Sequence, residues 1–286
     1  RPLDIPIAGS VSFFGLFLPS TLAEYLTLLA LPLLLLGLLM VVVFKTTKQL
    51  VDEKSALVAA FLLPSFPLII RQFLPGRIDH HSWQILMAAL AMFGLLDRNS
   101  KRGALLMAFA LAFWMHVSIE GLPYVVMFRA ILAASYIFPN FASRPVKDDR
   151  LIHLVSALTL FSVVVLVLTQ SQTNLALPRC DAVSWPLIAA LAVVSAGLSA
   201  MHCLLKPRQL WMQIASLGIV AAAGATAFLG FSDSCALDPF GQITPLVREF
   251  WHETVSEGLA IHKQATALIS LLLFVPALFV VWIVTV

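Results

Sequence analysis

Residues 75–83 read Pro-Gly-Arg-Ile-Asp-His-His-Ser-Trp and fall between two apolar segments, which puts Asp79, His80 and His81 at the edge of hydrocarbon. A carboxylate and imidazoles are costly to bring that close to a bilayer interior, so ionisable groups there mark a functional site by default. Pro75 and Gly76 break the preceding helix, and Asp79 and His81, two apart, can aim at one point. Carboxylate oxygen and imidazole nitrogen together suit a divalent cation, and the oxygen-preferring ions magnesium and manganese also hold phosphates. The competing reading is local. Asp79 caps a helix that begins at His81 or Ser82 by accepting backbone N–H bonds, and both readings can hold together because a cap uses no histidine.

A second polar cluster lies in the longest outward loop, 231–264, which contains Asp238-Pro239-Phe240-Gly241 and then Trp251-His252-Glu253-Thr254-Val255-Ser256-Glu257. Helical spacing places Glu249, Glu253 and Glu257 on one face, which describes either a ligand set or a solvated amphipathic helix. Arg71 and Arg77 flank the first cluster, and Arg248 and Lys263 flank the second. A guanidinium suits bidentate phosphate contacts, against the alternative that each basic side chain snorkels to lipid headgroups. Glu120 follows His116 and Ser118 at the end of an apolar segment and could orient His80 or His81, or serve only as a carboxylate at the start of the next helix. Arg129 is mid-span between Leu122 and Phe138, where a charge needs a partner or a water-filled cavity.

The elements that position these groups are membrane helices. The chain has 60% hydrophobic and 12% charged residues with a mean hydropathy of +0.95, against roughly 25% charged in a soluble domain. An all-helical integral membrane protein is expected, and the small formal charge of +3 carries no indication of a nucleic-acid partner. Nine apolar runs approach the roughly 30 Å hydrocarbon thickness: 24–44, 55–73, 82–96, 103–117, 121–138, 151–169, 185–204, 210–230 and 265–286. The stretch 5–18 is too short to cross and reads as interfacial or re-entrant. Alternate loops hold Lys45, Lys48 and Lys54, then Arg98, Lys101 and Arg102, then Arg144, Lys147 and Arg150, then Lys206 and Arg208, so these loops face the cytoplasm. The acids and most histidines gather on the opposite face, with Trp83, Trp114, Trp185 and Trp251 placed as interfacial belt aromatics. No glycine-rich phosphate loop or Ser-His-Asp arrangement is present.

The order of these pieces resembles the catalytic subunits of oligosaccharyltransferases, membrane glycosyltransferases of the GT-C class. Arg71, Gly76, Asp79 and His81 look like the archaeal Asp-X-His form of the family's first motif, and Thr254-Val255-Ser256-Glu257 is similar to its Thr-Ile-X-Glu or Ser-Val-Ser-Glu motif. Counting a span upstream of Arg1, the two motifs fall between spans three and four and between spans nine and ten, as in the family. The resemblance implies one polytopic GT-C-like domain over 1–286. In it, 1–23 ends the first periplasmic loop with an interfacial or re-entrant helix, 74–82 and 231–264 are the catalytic loops, and the soluble C-terminal domain is lacking.

It also implies a bacterial inner-membrane enzyme, multi-pass, with its site facing the periplasm. Asp79, His81 and Glu257 would bind Mn2+ or Mg2+, Asp79 and Glu257 would be catalytic, and Arg71, Arg77, Arg248 and Lys263 would hold the donor phosphate. The reaction would be inverting transfer of a sugar from a polyprenyl phosphate or pyrophosphate to a glycolipid, polysaccharide or protein acceptor. The family's Trp-Trp-Asp acceptor motif is missing, which favours a glycolipid or polysaccharide over a peptide. The rival readings are a transporter or flippase of a lipid-linked saccharide, with Glu120 and Arg129 in its path, and a non-catalytic membrane scaffold.

Cysteine placement gives an independent expectation. Cys180 and Cys235 lie in the two outward loops that bracket 185–230, whereas Cys203 is toward the cytoplasmic end, so an oxidising exterior would let the first two pair. Peptide mapping without reductant is expected to recover Cys180 cross-linked to Cys235. Recovery of both as free thiols counts against the pairing and the topology.

Overall fold

The computed structural model describes residues 2–138, 149–180, 182–205, 209–232 and 244–252, and all of the regular elements among them are helices. In chain order these are α1 (Asp4–Gly15), α2 (Ser20–Leu50), α3 (Glu53–Leu62), α4 (Pro67–Ile70), α5 (His80–Leu96), α6 (Ser100–Val117), α7 (Leu122–Ile137), α8 (Asp149–Thr169), α9 (Gln172–Leu175), α10 (Trp185–Ala200), α11 (Leu210–Phe231) and α12 (Pro245–Val247). Short 3-10 turns follow α3, α4 and α6, and wide π turns follow α10 and α12. Five helical stretches are long and apolar enough to cross a membrane: Ser20–Leu50, Ile119–Ile137, Asp149–Thr169, Trp185–Leu205 and Leu210–Phe231. This is a multi-pass membrane architecture.

Eight of the nine expected spans coincide with helical stretches, and 265–286 lies outside the described residues. The coincidence is not uniform. The segment expected to cross at 55–73 is broken, with Glu53–Ser65 and Pro67–Phe73 bent by 64°. The cause is local, since Pro64 and Pro67 each lack an N–H, and Pro67 pushes Phe66 into extended backbone at φ −83° and ψ 113°. At 17 residues, α5 rises about 26 Å, short of the roughly 30 Å core, and α6 opens on Ser-Lys-Arg. The 12-residue α1 is too short to cross, as its sequence implies, and packs against α2.

The core is built around α6, which lies against both α5 and α8. Its face of Ala104, Met107, Ala108 and Leu111 is fully buried. With hydrocarbon outside and inside alike, helices in a membrane gain from close van der Waals contact, which small residues permit. Gly94 of α5 and Gly103 of α6 provide that contact: a methyl on Gly94 would lie 2.7 Å from the Gly103 carbonyl oxygen and 2.8 Å from Met107 Cγ. The outer helices follow the same rule, with Gly197 of α10 seated on Val220 of α11. Polar side chains add lateral bonds, from Thr159 Oγ1 to the Leu191 carbonyl at 3.2 Å and from Ser195 Oγ to Ser156 Oγ at 3.1 Å.

One end of this bundle is held by Arg150. Its guanidinium donates to the carbonyl of Leu95 at 2.7 Å and to that of Asp97, so it completes carbonyls that the end of α5 leaves without helical partners. Asp97 in turn accepts from Arg102 Nε at 2.6 Å and from the Asn99 backbone at 2.9 Å, and Ser100 Oγ donates to Asp149 at 3.0 Å. Loops 97–100 and the start of α8, both expected on the cytoplasmic side, are therefore neighbours.

Gly94→Ala and Gly103→Ala are expected to destabilise the folded chain by about 1–3 kcal/mol through overpacking, read as a drop in thermal midpoint in detergent. Gly37→Ala, where an added methyl meets nothing within 4 Å, serves as the matched control and is expected to hold or raise it.

Candidate functional site

At the opposite end, the loop before α5 is fixed by its backbone. Gly76 adopts φ +87°, a left-handed conformation that glycine accepts without strain, and its N–H bonds the Leu28 carbonyl of α2 at 2.8 Å. This ties the loop to the long helix and sets where Arg77 and Asp79 emerge. Asp79 is the N-cap of α5. Its Oδ1 accepts from the His81 backbone N–H at 3.1 Å, and its Oδ2 accepts from Arg77 Nε at 2.6 Å. Arg77 also reaches the Arg71 carbonyl at 3.4 Å, so the first two candidate phosphate ligands share one loop with the carboxylate. Arg77 is engaged with Asp79, and Arg71 is exposed.

The capping reading of Asp79 holds, and it leaves the ligand reading open. Each carboxylate oxygen carries one hydrogen bond and retains a lone pair, and the side chain is 34% exposed. Asp79 therefore fits a divalent cation as one donor, with His81 following two residues later. Among the described residues, no group of three or more His, Cys, Asp or Glu side chains is placed to hold a metal ion. Glu257, expected as the third ligand, lies outside the described residues, as does Lys263.

Two further groups close on the same end. The His80 and His81 rings approach to 4.2 Å between centroids. Glu120 accepts from Gln84 Nε2 at 2.9 Å and stands 3.9 Å from His80 Nε2. Glu120 is thus beside His80, where a carboxylate can orient the ring, and Gln84 is a member of the site that sequence reasoning missed. The available signal was spacing, since residues 80 and 84 are one turn apart on a single face of α5. Glu120 is presented by a 3-10 turn (Ile119–Gly121) whose start Ser118 caps, and Gly121 lets that turn lie on Trp114, where a methyl would meet Cδ1 at 2.7 Å. Trp114 is 4% exposed and stacks on Tyr124 at 4.5 Å. It belongs to the core and not to the interfacial belt expected from sequence.

α5 also borders an apolar cleft. A cleft of about 260 Å³ opens one turn along α5 from His80, between Trp83, Phe113, Val165 and Leu168 on one side and Ile5 and Pro6 of α1 on the other. A cleft lined by these side chains suits an apolar chain.

No family model matches the chain, nor does any curated protein or solved structure.

The remaining candidates fall elsewhere. Arg248 begins the π turn Arg248–His252 after α12 and is engaged there. Cys180 is disulfide-bonded and Cys203 is a free, exposed thiol, whereas Cys235 lies outside the described residues. Because Asp79 caps α5, Asp79→Ala is expected to lower folding stability by about 1 kcal/mol, whereas Asp79→Asn keeps the cap acceptor and most of that stability. Thermal unfolding of the two variants side by side measures the difference.

Proposed function

We propose that the chain is a membrane glycosyltransferase. It moves a sugar from a polyprenyl phosphate or pyrophosphate to a glycolipid, polysaccharide or protein acceptor at the periplasmic face of the inner membrane, with inversion at the sugar carbon. The observation that carries this reading is the gathering of Arg77, Asp79, His80 and Glu120 at one end of the bundle, on a helix whose Trp83 also lines an apolar cleft. Support comes also from the likeness of the 71–81 and 254–257 motifs to those of oligosaccharyltransferase catalytic subunits.

In the reaction an acceptor heteroatom attacks the anomeric carbon from the face opposite the phosphate. The carbon–oxygen bond to phosphate breaks, its electron pair leaves with the lipid phosphate, and the acceptor proton passes to a carboxylate. Asp79 or Glu257 takes that proton, and fixed positive groups above the membrane stabilise charge growing on the leaving oxygen. A bound Mg2+ or Mn2+, held by Asp79, His81 and Glu257, would neutralise part of that charge. Gln84 holds Glu120 beside the His80 ring, and the Gly76 anchor on α2 fixes the direction of Asp79.

A second reading, a transporter or flippase of a lipid-linked saccharide, has the broken α3–α4 segment in its favour, because discontinuous helices form substrate sites in many transporters. The two are separated by assaying the full-length protein with lipid-linked sugar donors and Mn2+ or Mg2+. The transferase reading expects covalent transfer in the wild type and at least about a 100-fold loss in Asp79→Asn, whose fold the cap preserves, and in Glu257→Ala. Transfer that survives both substitutions defeats it, and movement of substrate across the bilayer without transfer establishes the transporter.

A further inference from the structure

The apolar cleft beside α5 has a definite place in the bundle. The end of α5 meets the start of α8 through Arg150, and the start of α6 meets it through Ser100 and Asp149. The start of α5 and the last turns of α6 and α8 therefore share the opposite end, which carries His80 and Glu120. The cleft takes its lining from that end: Trp83 near the start of α5, Phe113 near the end of α6, and Val165 and Leu168 in the last turns of α8. α1 supplies the other wall through Ile5 and Pro6, while its own packing is on α2. His80 and Trp83 are three positions apart on one helix, which makes them neighbours at about 5–6 Å between Cβ atoms. Polar cluster and cleft are thus consecutive along α5, with Trp83 about 4.5 Å further into the bundle.

The cleft presents carbon. Pro6 has no N–H, and its carbonyl accepts from Ser10 Oγ at 2.7 Å. Thr169 Oγ1, at the rim, donates to the Val165 carbonyl at 2.7 Å, and Trp83 Nε1 is buried. The exposed lining is accordingly wholly apolar. Water finds no hydrogen bond in such a space, and an open gap forfeits dispersion contact along its walls. A hydrocarbon chain restores that contact. The floor of the cleft favours one kind of chain. The Trp83 ring lies 5.4 Å from Phe113, Phe113 lies 6.2 Å from Phe109, and Phe109 lies 6.1 Å from Phe161. Each ring is held by the next, so the row resists collapse into the gap, and it leads from the cleft to Phe109, which is exposed on the surface of the bundle. A broad aromatic surface suits the flat, branched, double-bonded units of an isoprenoid, which cover a ring face where a straight acyl chain touches it along one line.

We propose that the cleft between α1 and the α5–α6–α8 bundle seats the isoprenoid chain of the polyprenyl-linked donor, with its first units on Trp83 and Phe113 and its phosphate end toward the polar loop before α5. The inference rests on the lipid-linked-donor reading above and adds to it a seat for the chain, which none of the polar loops provides. In a bilayer a chain gains little by exchanging lipid neighbours for an equally apolar wall. The cleft therefore acts by fit, and it sets where along α5 the head of the lipid comes to rest.

The test uses the full-length chain in phosphatidylcholine nanodiscs and a polyprenyl phosphate with a photoreactive group on its first isoprene unit, followed by peptide mapping. The expected result is labelling of α5 at Trp83, of α6 at Phe113 and of α8 at Val165 or Leu168. Leu168→Trp places an indole at the rim, where the native side chain is 73% exposed and its replacement removes no core contact. Labelling of that variant is expected to fall by at least about 5-fold. Leu160→Trp, exposed on the same helix and outside the cleft, is expected to match the wild type. Labelling confined to other helices overturns the proposal, and so does a Leu168→Trp chain that labels as the wild type does. Equal labelling of the cleft by a phosphatidylcholine carrying the same group also overturns it, since the occupant is then an ordinary acyl chain. If Leu168→Trp lowers the thermal midpoint, the wild-type map decides alone. Sugar transfer without cleft labelling leaves the transferase reading intact and removes this one, and cleft labelling without transfer does the reverse.

Discussion

The close approach of α5 and α6 at Gly94 and Gly103 is the constraint from which the rest of the bundle follows. In lipid there is no gain from hiding apolar surface, so helices stay together only where their backbones come near enough for dense contact. Two glycines facing each other set the separation of α5 from α6 at one end. The packing of Gly121 against Trp114 sets the height of the turn that carries Glu120 at the other. Between these two contacts α6 is rigidly defined, and the outer ends of α5 and α6 are brought to a common level. His80, Gln84 and Glu120 meet at that level, where Glu120 accepts from Gln84.

Asp79 has two jobs that are satisfied by different oxygens. One holds the first turn of α5, and the other holds Arg77. A short loop with a left-handed glycine tied to α2 gives this arrangement little freedom, which is what a site that must place a charge against a substrate needs. The broken α3–α4 segment lies just before the same loop, so a backbone discontinuity and the polar cluster are adjacent in the chain. That adjacency is as compatible with a substrate path as with a catalytic pocket.

Much of the helix pattern was legible because long apolar runs between charged loops can scarcely be anything else in sequence. Asp79 as a cap was equally legible, from a carboxylate placed just before an apolar helix. The features that escaped reading are those that depend on contact between distant segments. The 55–73 run looked continuous in hydropathy although Pro64 and Pro67 stand three apart in it. Trp114 looked like an interfacial aromatic until Gly121 was found to make room for it in the core. Arg150 counted only as one basic residue in a cytoplasmic loop, since nothing in its neighbours announces two carbonyls on α5. Gln84 is neither charged nor in a motif, and its bond to Glu120 crosses 36 positions. The 253–286 part of the proposed site rests on sequence.

The fastening of α5 by Arg150 has a consequence for how the protein is made. The bond to Leu95 spans 55 positions, so α5 and α6 leave the ribosome well before the arginine that completes the end of α5 exists. Until α8 begins to emerge, the last carbonyls of α5 have only water or lipid headgroups to satisfy them. The α5–α6 hairpin is therefore completed at this end only when the start of α8 arrives, and α8 acts as its latch.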